Sequence, residues 1–149
     1  MIGMGRMGLN MTERLINDGH VIVAHDLNEQ SLKSAKTVGA ITTKSLTELV
    51  DKIEAPRTIW IMVPSGQATE DVVKTLNKLL QPGDCIIDGG NSYYKDSIKR
   101  EKRSRQLSID YLDCGTSGGI WGLKNGYCLT IGGSKNIYEK HKPIFKSLS

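Results

Sequence analysis

Three glycines stand near the start of the chain, in a G-x-G-x-x-G pattern formed by Gly3, Met4, Gly5, Arg6, Met7 and Gly8. An apolar pair precedes them and a helical pattern follows. Asp26 ends the next apolar run, 18 residues after Gly8. This context suits a turn that holds the pyrophosphate of a dinucleotide. The first glycine makes the tight turn, the second lets the pyrophosphate approach the backbone, and the third lets helix pack on strand. A helix beginning there points unpaired N–H groups at phosphate oxygens. Asp26 is placed to accept hydrogen bonds from both hydroxyls of an adenosine ribose, and its charge repels a 2′-phosphate. Neither Leu27 nor Asn28 provides an arginine for such a phosphate. The chemistry is therefore that of binding NAD rather than NADP.

Other polar residues follow apolar runs further along. Met62, Val63 and Pro64 come after one run, Asp88-Gly89-Gly90-Asn91-Ser92 after the next, and Asp113-Cys114-Gly115-Thr116-Ser117-Gly118-Gly119 after a third. Asn91 fits either of two roles. It could cap the following helix, or it could offer a donor and an acceptor to a ligand. Ser117, Gly118 and Gly119 could form either an anion-accepting nest of backbone N–H groups or an ordinary loop. His20, His25 and His141 lack partners at metal-ligand spacing, so no metal is expected. His20 reads as a turn residue, and His25 as a neighbour of the adenine side or a solvent-facing residue. Trp60 and Trp121 read as core or interface packing. No Ser–His–Asp or Cys–His set is visible.

The elements that must position these residues alternate between apolar runs and helical patterns. That order predicts an α/β fold, with a mostly parallel, doubly wound sheet covered by helices on both faces. Strands are predicted at 1–2, 21–24, 40–43, 58–63, 85–88, 109–113 and 127–131. Helices are predicted at 6–18, 28–39, 45–52, 67–80 and 92–106, with 115–126 irregular. The tail is helical, with Ile137, Ile144, Phe145 and Leu148 on one face, and Pro143 should break it in two. In such sheets ligands bind outside the carboxyl ends of the strands, where the polar residues above collect.

Bulk properties narrow the classes. A chain of 149 residues is read as one domain with room for a core. No apolar run approaches the ~20 residues of a membrane span, and there is no signal peptide pattern. Cys85, Cys114 and Cys128 are odd in number and lack C-x-x-C spacing, which favours reduced thiols and a cytoplasmic setting. The run Lys99-Arg100-Glu101-Lys102-Arg103-Ser104-Arg105 carries as much net charge, +4, as the whole chain. It is expected to be the solvated face of a helix. Without an accompanying nucleic-acid-binding motif, no nucleic-acid partner is expected.

Taken together, the motifs G-M-G-R-M-G (3–8), H-D-L-N (25–28), M-V-P (62–64), I-I-D-G-G-N-S-Y-Y (86–94) and D-C-G-T-S-G-G-I-W-G-L-K-N-G-Y-C-L-T-I-G-G (113–133) resemble 6-phosphogluconate dehydrogenase. The resemblance is to its NAD-preferring, decarboxylating branch and covers essentially the whole chain. It implies a Rossmann-type domain over 1–149, belonging to an oxidoreductase of the pentose phosphate pathway. It also implies that Asn91 and the Ser117-Gly118-Gly119 turn contact 6-phosphogluconate near the nicotinamide, while Met62, Val63 and Pro64 line the cofactor cleft. The family reaction oxidises the 3-hydroxyl by hydride transfer to the nicotinamide. The β-keto acid then loses carbon dioxide, and the enediol is reprotonated to ribulose 5-phosphate. The family's general base, a lysine, and general acid, a glutamate, lie beyond residue 149, together with an all-helical domain that forms its homodimer. No catalytic residue is therefore assigned here, and Lys124 is not the base. The chain is expected to bind NAD without turning over.

Two alternatives are a β-hydroxyacid dehydrogenase of the 3-hydroxyisobutyrate type and a non-catalytic NAD-binding module. The Asn91 motif and the Trp121 loop argue against the first, and the absent base fits the second. Only Met1 and Ile2 lead into Gly3, where a strand of ~5–6 residues is usual. The support beneath the glycine turn is accordingly expected to be weakened.

Overall fold

A computed structural model describes all 149 residues. The chain runs α1 (Arg6–Asn17), β1 (Val23–His25), α2 (Glu29–Thr37), β2 (Ile41–Thr43), α3 (Leu46–Asp51), β3 (Thr58–Ile61), α4 (Gln67–Leu79), β4 (Cys85–Asp88), α5 (Tyr94–Gln106) and β5 (Asp110–Ser117). A single 3-10 turn at Gly119–Trp121 leads into α6 (Gly122–Asn125), β6 (Cys128–Gly132) and α7 (Lys135–Leu148).

Met1 and Ile2 hold the centre of one continuous sheet. Ile2 bridges β1 on one side and β3 on the other, both in parallel. Its N–H donates to Trp60 O at 2.8 Å and its carbonyl accepts from Met62 at 2.7 Å. On the other side, His25 N donates to Met1 O and Gly3 N to His25 O. The two residues are thus bonded on both flanks. With them the order is β2, β1, Ile2, β3, β4, β5, β6, parallel except for β6. The order reverses at Ile2, which makes the carboxyl end of the centre a topological switch point.

Strand side chains alternate between two cores, as a pleat of period two requires. Trp60, Ile87, Leu112 and Cys114 join Met11 and Leu15 of α1, and Phe145 and Leu148 of α7. Ile59, Ile61, Ile86, Ile109 and Tyr111 join Leu49 and Val50 of α3, and Val73 and Leu76 of α4. Burial on both faces explains why these strands read as continuous apolar runs. Asn28 and Ser45 cap α2 and α3 with side-chain oxygens, Asn28 to Gln30 and Ser31, Ser45 to Glu48.

Four sequence expectations change. Pro143 does not divide the tail, because α7 is one helix with Pro143 inside it. Ile137 and Tyr138 before the proline, and Ile144, Phe145 and Leu148 after it, pack on the same core. Tyr138 stacks on Phe145 at 5.5 Å, and Phe145 meets Trp60 edge-on at 6.0 Å. Burial on both sides of the break holds the axis. The strand expected to end at 113 continues to Ser117, because antiparallel β6 pairs with it from Asp113 to Ser117. Residues 119–125, expected to be irregular, form two short helical turns. The basic run of α5 is only partly in solvent. Arg100 is 2% exposed and Ser97 and Ser104 are buried, so the inner face of the helix is polar.

Candidate cofactor-binding site

At the carboxyl end of the central strands lies a cleft of about 820 Å³. Its walls come from both sides of the switch point: Gly3, Gly5 and Met7, then His25, Asp26, Leu27 and Ser31, then Met62, Val63 and Pro64, then Gly89, Gly90, Asn91 and Thr116.

The three glycines of the turn have different surroundings. A Cβ on Gly8 would lie 2.0 Å from Gly3 O, and one on Gly3 would lie 2.5 Å from Met62 O, with φ at +90°. Both are fixed by the protein's own packing. A Cβ on Gly5 would meet nothing within 4 Å, and its φ of −64° suits any residue. Gly5 is the N-cap of α1 and no side chain caps that helix. The N–H groups of Arg6, Met7 and Gly8 have no protein acceptor, as the first turn of a helix leaves them. Two motif residues turn elsewhere. The side chain of Met4 is buried in the core, with Thr12 Oγ1 3.8 Å from its sulfur. The side chain of Arg6 is exposed and lies outside the cleft wall.

Asp26 ties the site together. Its Oδ2 accepts from Met4 N at 2.6 Å, and its Oδ1 accepts from Asn28 N at 2.7 Å. The carboxylate thus fixes the glycine turn to the start of α2 while lining the cleft. Beside it His25 is buried, its Nδ1 3.1 Å from Thr43 O. Leu27 is 96% exposed.

At the opposite end, Asn91 does not cap α5, whose N-cap is Tyr93. It stands at φ +52°. Its Oδ1 accepts from Thr116 N at 3.0 Å and its Nδ2 donates to Thr116 O at 3.3 Å. This two-point pairing binds the β4–α5 loop to the end of β5. Beyond Thr116, residues 117–119 are exposed, and the N–H groups of Gly118, Gly119 and Ile120 have no protein acceptor.

Sequence reasoning missed a buried network beneath this end. Arg100 Nη1 donates to Asp88 Oδ2 at 3.3 Å and to Ser92 Oγ at 3.1 Å. Its Nη2 reaches Gly66 O at 3.1 Å, and its Nε reaches Glu70 Oε2 at 3.1 Å. Tyr111 donates to Asp88 Oδ2 at 2.8 Å, and Gly90 N to Asp88 Oδ1 at 3.1 Å. Arg103 grips Glu70 with two bonds of 2.6 and 2.8 Å. The hydrogen bonds from Arg103 hold the Glu70 carboxyl down at about 2, against the opposing effect of burial. Burial pushes the Tyr111 hydroxyl well above its ordinary range, and neighbouring Asp88 adds to this. The spacing Ser97, Arg100, Ser104 marks one helix face. A search for apolar stripes passes over it because it contains no apolar residue.

The remaining candidates lie apart from the cleft. Ser147 Oγ lies 2.8 Å from His20 Nε2 and donates to Asp18. The serine sits between the other two, so this group clamps α7 to the turn after α1. His141 bonds Ile137 O and Thr58 Oγ1. All three cysteines are free, and burial pushes the Cys85 and Cys114 thiols up to about 12. No three His, Cys, Asp or Glu side chains converge to hold a metal. No helix is long and apolar enough to cross a membrane. Trp60 is in the core, whereas Trp121 is exposed.

A glycine turn at the switch point, an open helix N-terminus and an acid at the end of the neighbouring strand define a dinucleotide-binding α/β domain. The family model for the NAD binding domain of 6-phosphogluconate dehydrogenase matches residues 1–149. The chain belongs to that family, whose members are dehydrogenases. An NAD(+)-dependent, decarboxylating 6-phosphogluconate dehydrogenase from Haloferax volcanii is 37% identical over all of this chain and 49% of its own length. A Plasmodium falciparum 6-phosphogluconate dehydrogenase, described with its cofactor NADP+ and its substrate 6-phosphogluconate, is 30% identical with a TM-score of 0.88. That likeness covers 99% of this chain and 33% of the other. A 3-hydroxyisobutyrate dehydrogenase from Mycobacterium tuberculosis superposes with a TM-score of 0.92, over 99% of this chain and 50% of its own. At 21% identity it shows the fold alone. The chain spans about half the length of the first curated relatives it matches.

Proposed function

We propose that the chain is the cofactor-binding half of an NAD-dependent, decarboxylating 6-phosphogluconate dehydrogenase, over residues 1–149. Gly5 carries this reading. Packing within the chain demands Gly3 and Gly8, but nothing in the chain comes within 4 Å of a Cβ at Gly5. The missing side chain leaves room for a group from outside, beside three unpaired N–H groups of α1. A pyrophosphate fits that opening. Asp26 then takes the adenosine ribose, which favours NAD over NADP. Met62, Val63 and Pro64 supply the wall beside the nicotinamide, and Asn91 stands at the far end.

When bound, NAD supplies the hydride acceptor. The residues of this chain bind and orient. The Asn91 carboxamide faces a ligand with a donor and an acceptor already squared by Thr116. The free N–H groups of Gly118, Gly119 and Ile120 suit an anionic substrate such as 6-phosphogluconate. Proton transfer at the sugar is assigned to no residue of this chain, and Lys124 is an exposed residue of the short α6.

Titration calorimetry with NAD and NADP tests the reading. NAD is expected to bind more tightly. Tighter binding of NADP would overturn the role of Asp26, and binding of neither would overturn the cofactor site.

A further inference from the structure

Arg100 is a buried cation that the function above does not use. It is 2% exposed. Its four bonds end on separate pieces of the cleft's framework: Gly66 in the turn after Pro64, Glu70 in α4, Asp88 at the end of β4, and Ser92 just after Asn91. Asp88 in turn holds Gly90 N–H. Asn91 lies between two residues pinned by this network, in a left-handed conformation uncommon for a side-chain-bearing residue. A network that only joined α5 to β4 and α4 would need the Asp88 and Glu70 pairs. The bonds to Ser92 Oγ and Gly66 O add nothing to that task, but they fix both loops that wall one end of the cleft.

We propose that Arg100 is a positioning residue for that end. It presets the Asn91 carboxamide against Thr116 and holds the Pro64–Gly66 turn in register with it. The assignment of this end to the nicotinamide rests on the function proposed above. A guanidinium is required because its planar fork reaches four acceptors in fixed directions, which a lysine ammonium does not.

The experiment compares the 149-residue chain with Arg100→Lys, Arg100→Met and Ser92→Ala. Ser92→Ala removes the loop contact and leaves both ion pairs intact, so the test survives if the Arg100 variants do not fold. Two readouts are taken: affinity for NAD against ADP-ribose, which lacks the nicotinamide, and hydrogen exchange at the Thr116 amide against the Met4 amide. Losing one buried hydrogen bond corresponds to about a tenfold change. NAD affinity is expected to fall about that much in the Arg100 variants and less in Ser92→Ala, with ADP-ribose affinity kept within about twofold. Exchange at Thr116 should accelerate about tenfold while Met4, held by Asp26, stays unchanged. Equal loss for both ligands and both amides would reduce Arg100 to a general stabiliser and overturn the proposal, as would no change in either. If the parent chain binds neither ligand, the cofactor reading fails, and the Thr116 exchange rate still decides whether Arg100 sets Asn91.

Discussion

The two glycines that flank the middle of the motif separate packing from binding at the scale of single residues. Gly8→Ala forces a Cβ to 2.0 Å from a backbone oxygen that has little freedom to move. The expected cost is about 2 kcal/mol or more, read by denaturant unfolding. Gly5→Ala places its methyl in open space at a compatible φ. Stability should change by no more than about 1 kcal/mol, the difference between glycine and alanine as N-caps. NAD binding should be lost in that variant. A Gly5→Ala chain that is stable and still binds NAD normally would remove the main support for the phosphate site. Asp26 shows a second feature of this scale. Its spacing from the glycines is readable in the sequence, but its bond to Met4 N is not. The same carboxylate proposed to read the ribose also fixes the turn proposed to hold the pyrophosphate.

At the scale of elements, α7 shows how tertiary packing overrides a local breaker. Proline in a helix interior removes a hydrogen bond and crowds the preceding turn, at about 3 kcal/mol. The helix persists because half-buried Tyr138 on one side packs against the same core in which Phe145 and Leu148 on the other are buried. Pro143 itself is exposed, so a replacement has room. Pro143→Ala is therefore expected to raise stability, by up to about 3 kcal/mol. An unchanged or lower melting temperature would show that the helix has already relaxed around the ring. The α5 helix makes the converse point. Its charge run looks solvated when charge alone is counted, yet Arg100 lies on the inner face with Ser97 and Ser104. Small serines let the helix approach the sheet, and Asp88 and Glu70 wait there.

At the scale of the whole molecule, the Glu70 network couples stability to acid. Glu70 in the fold titrates at about 2, below its ordinary 4.5, because Arg103 and Arg100 hold it ionised. The stabilisation from these pairs is fully present above about pH 4.5 and is lost as pH falls through about 2. Glu70→Gln should be less stable than the parent near neutral pH, and the gap should close over that window. A gap that does not vary with pH would mean the pairs contribute nothing net.

The sequence by itself determined the alternation of strand and helix, the caps at Asn28 and Ser45, the glycine turn and the spacing of Asp26. These are local matters: side-chain periodicity, backbone sterics and capping act within a few residues, so a linear reading captures them. The sequence also carried the family, through motifs that the family model matches from 1 to 149. Only the tertiary structure decided that Ile2 is the centre of the sheet, that β5 runs on to Ser117, that α7 survives Pro143, and that Asn91 pairs with Thr116 instead of capping α5. Each depends on a partner far away in the chain. Arg100 is the clearest case, because its four acceptors meet only after β4, α4 and α5 have packed. Burial then turns an ordinary surface charge into one that must be fully paired.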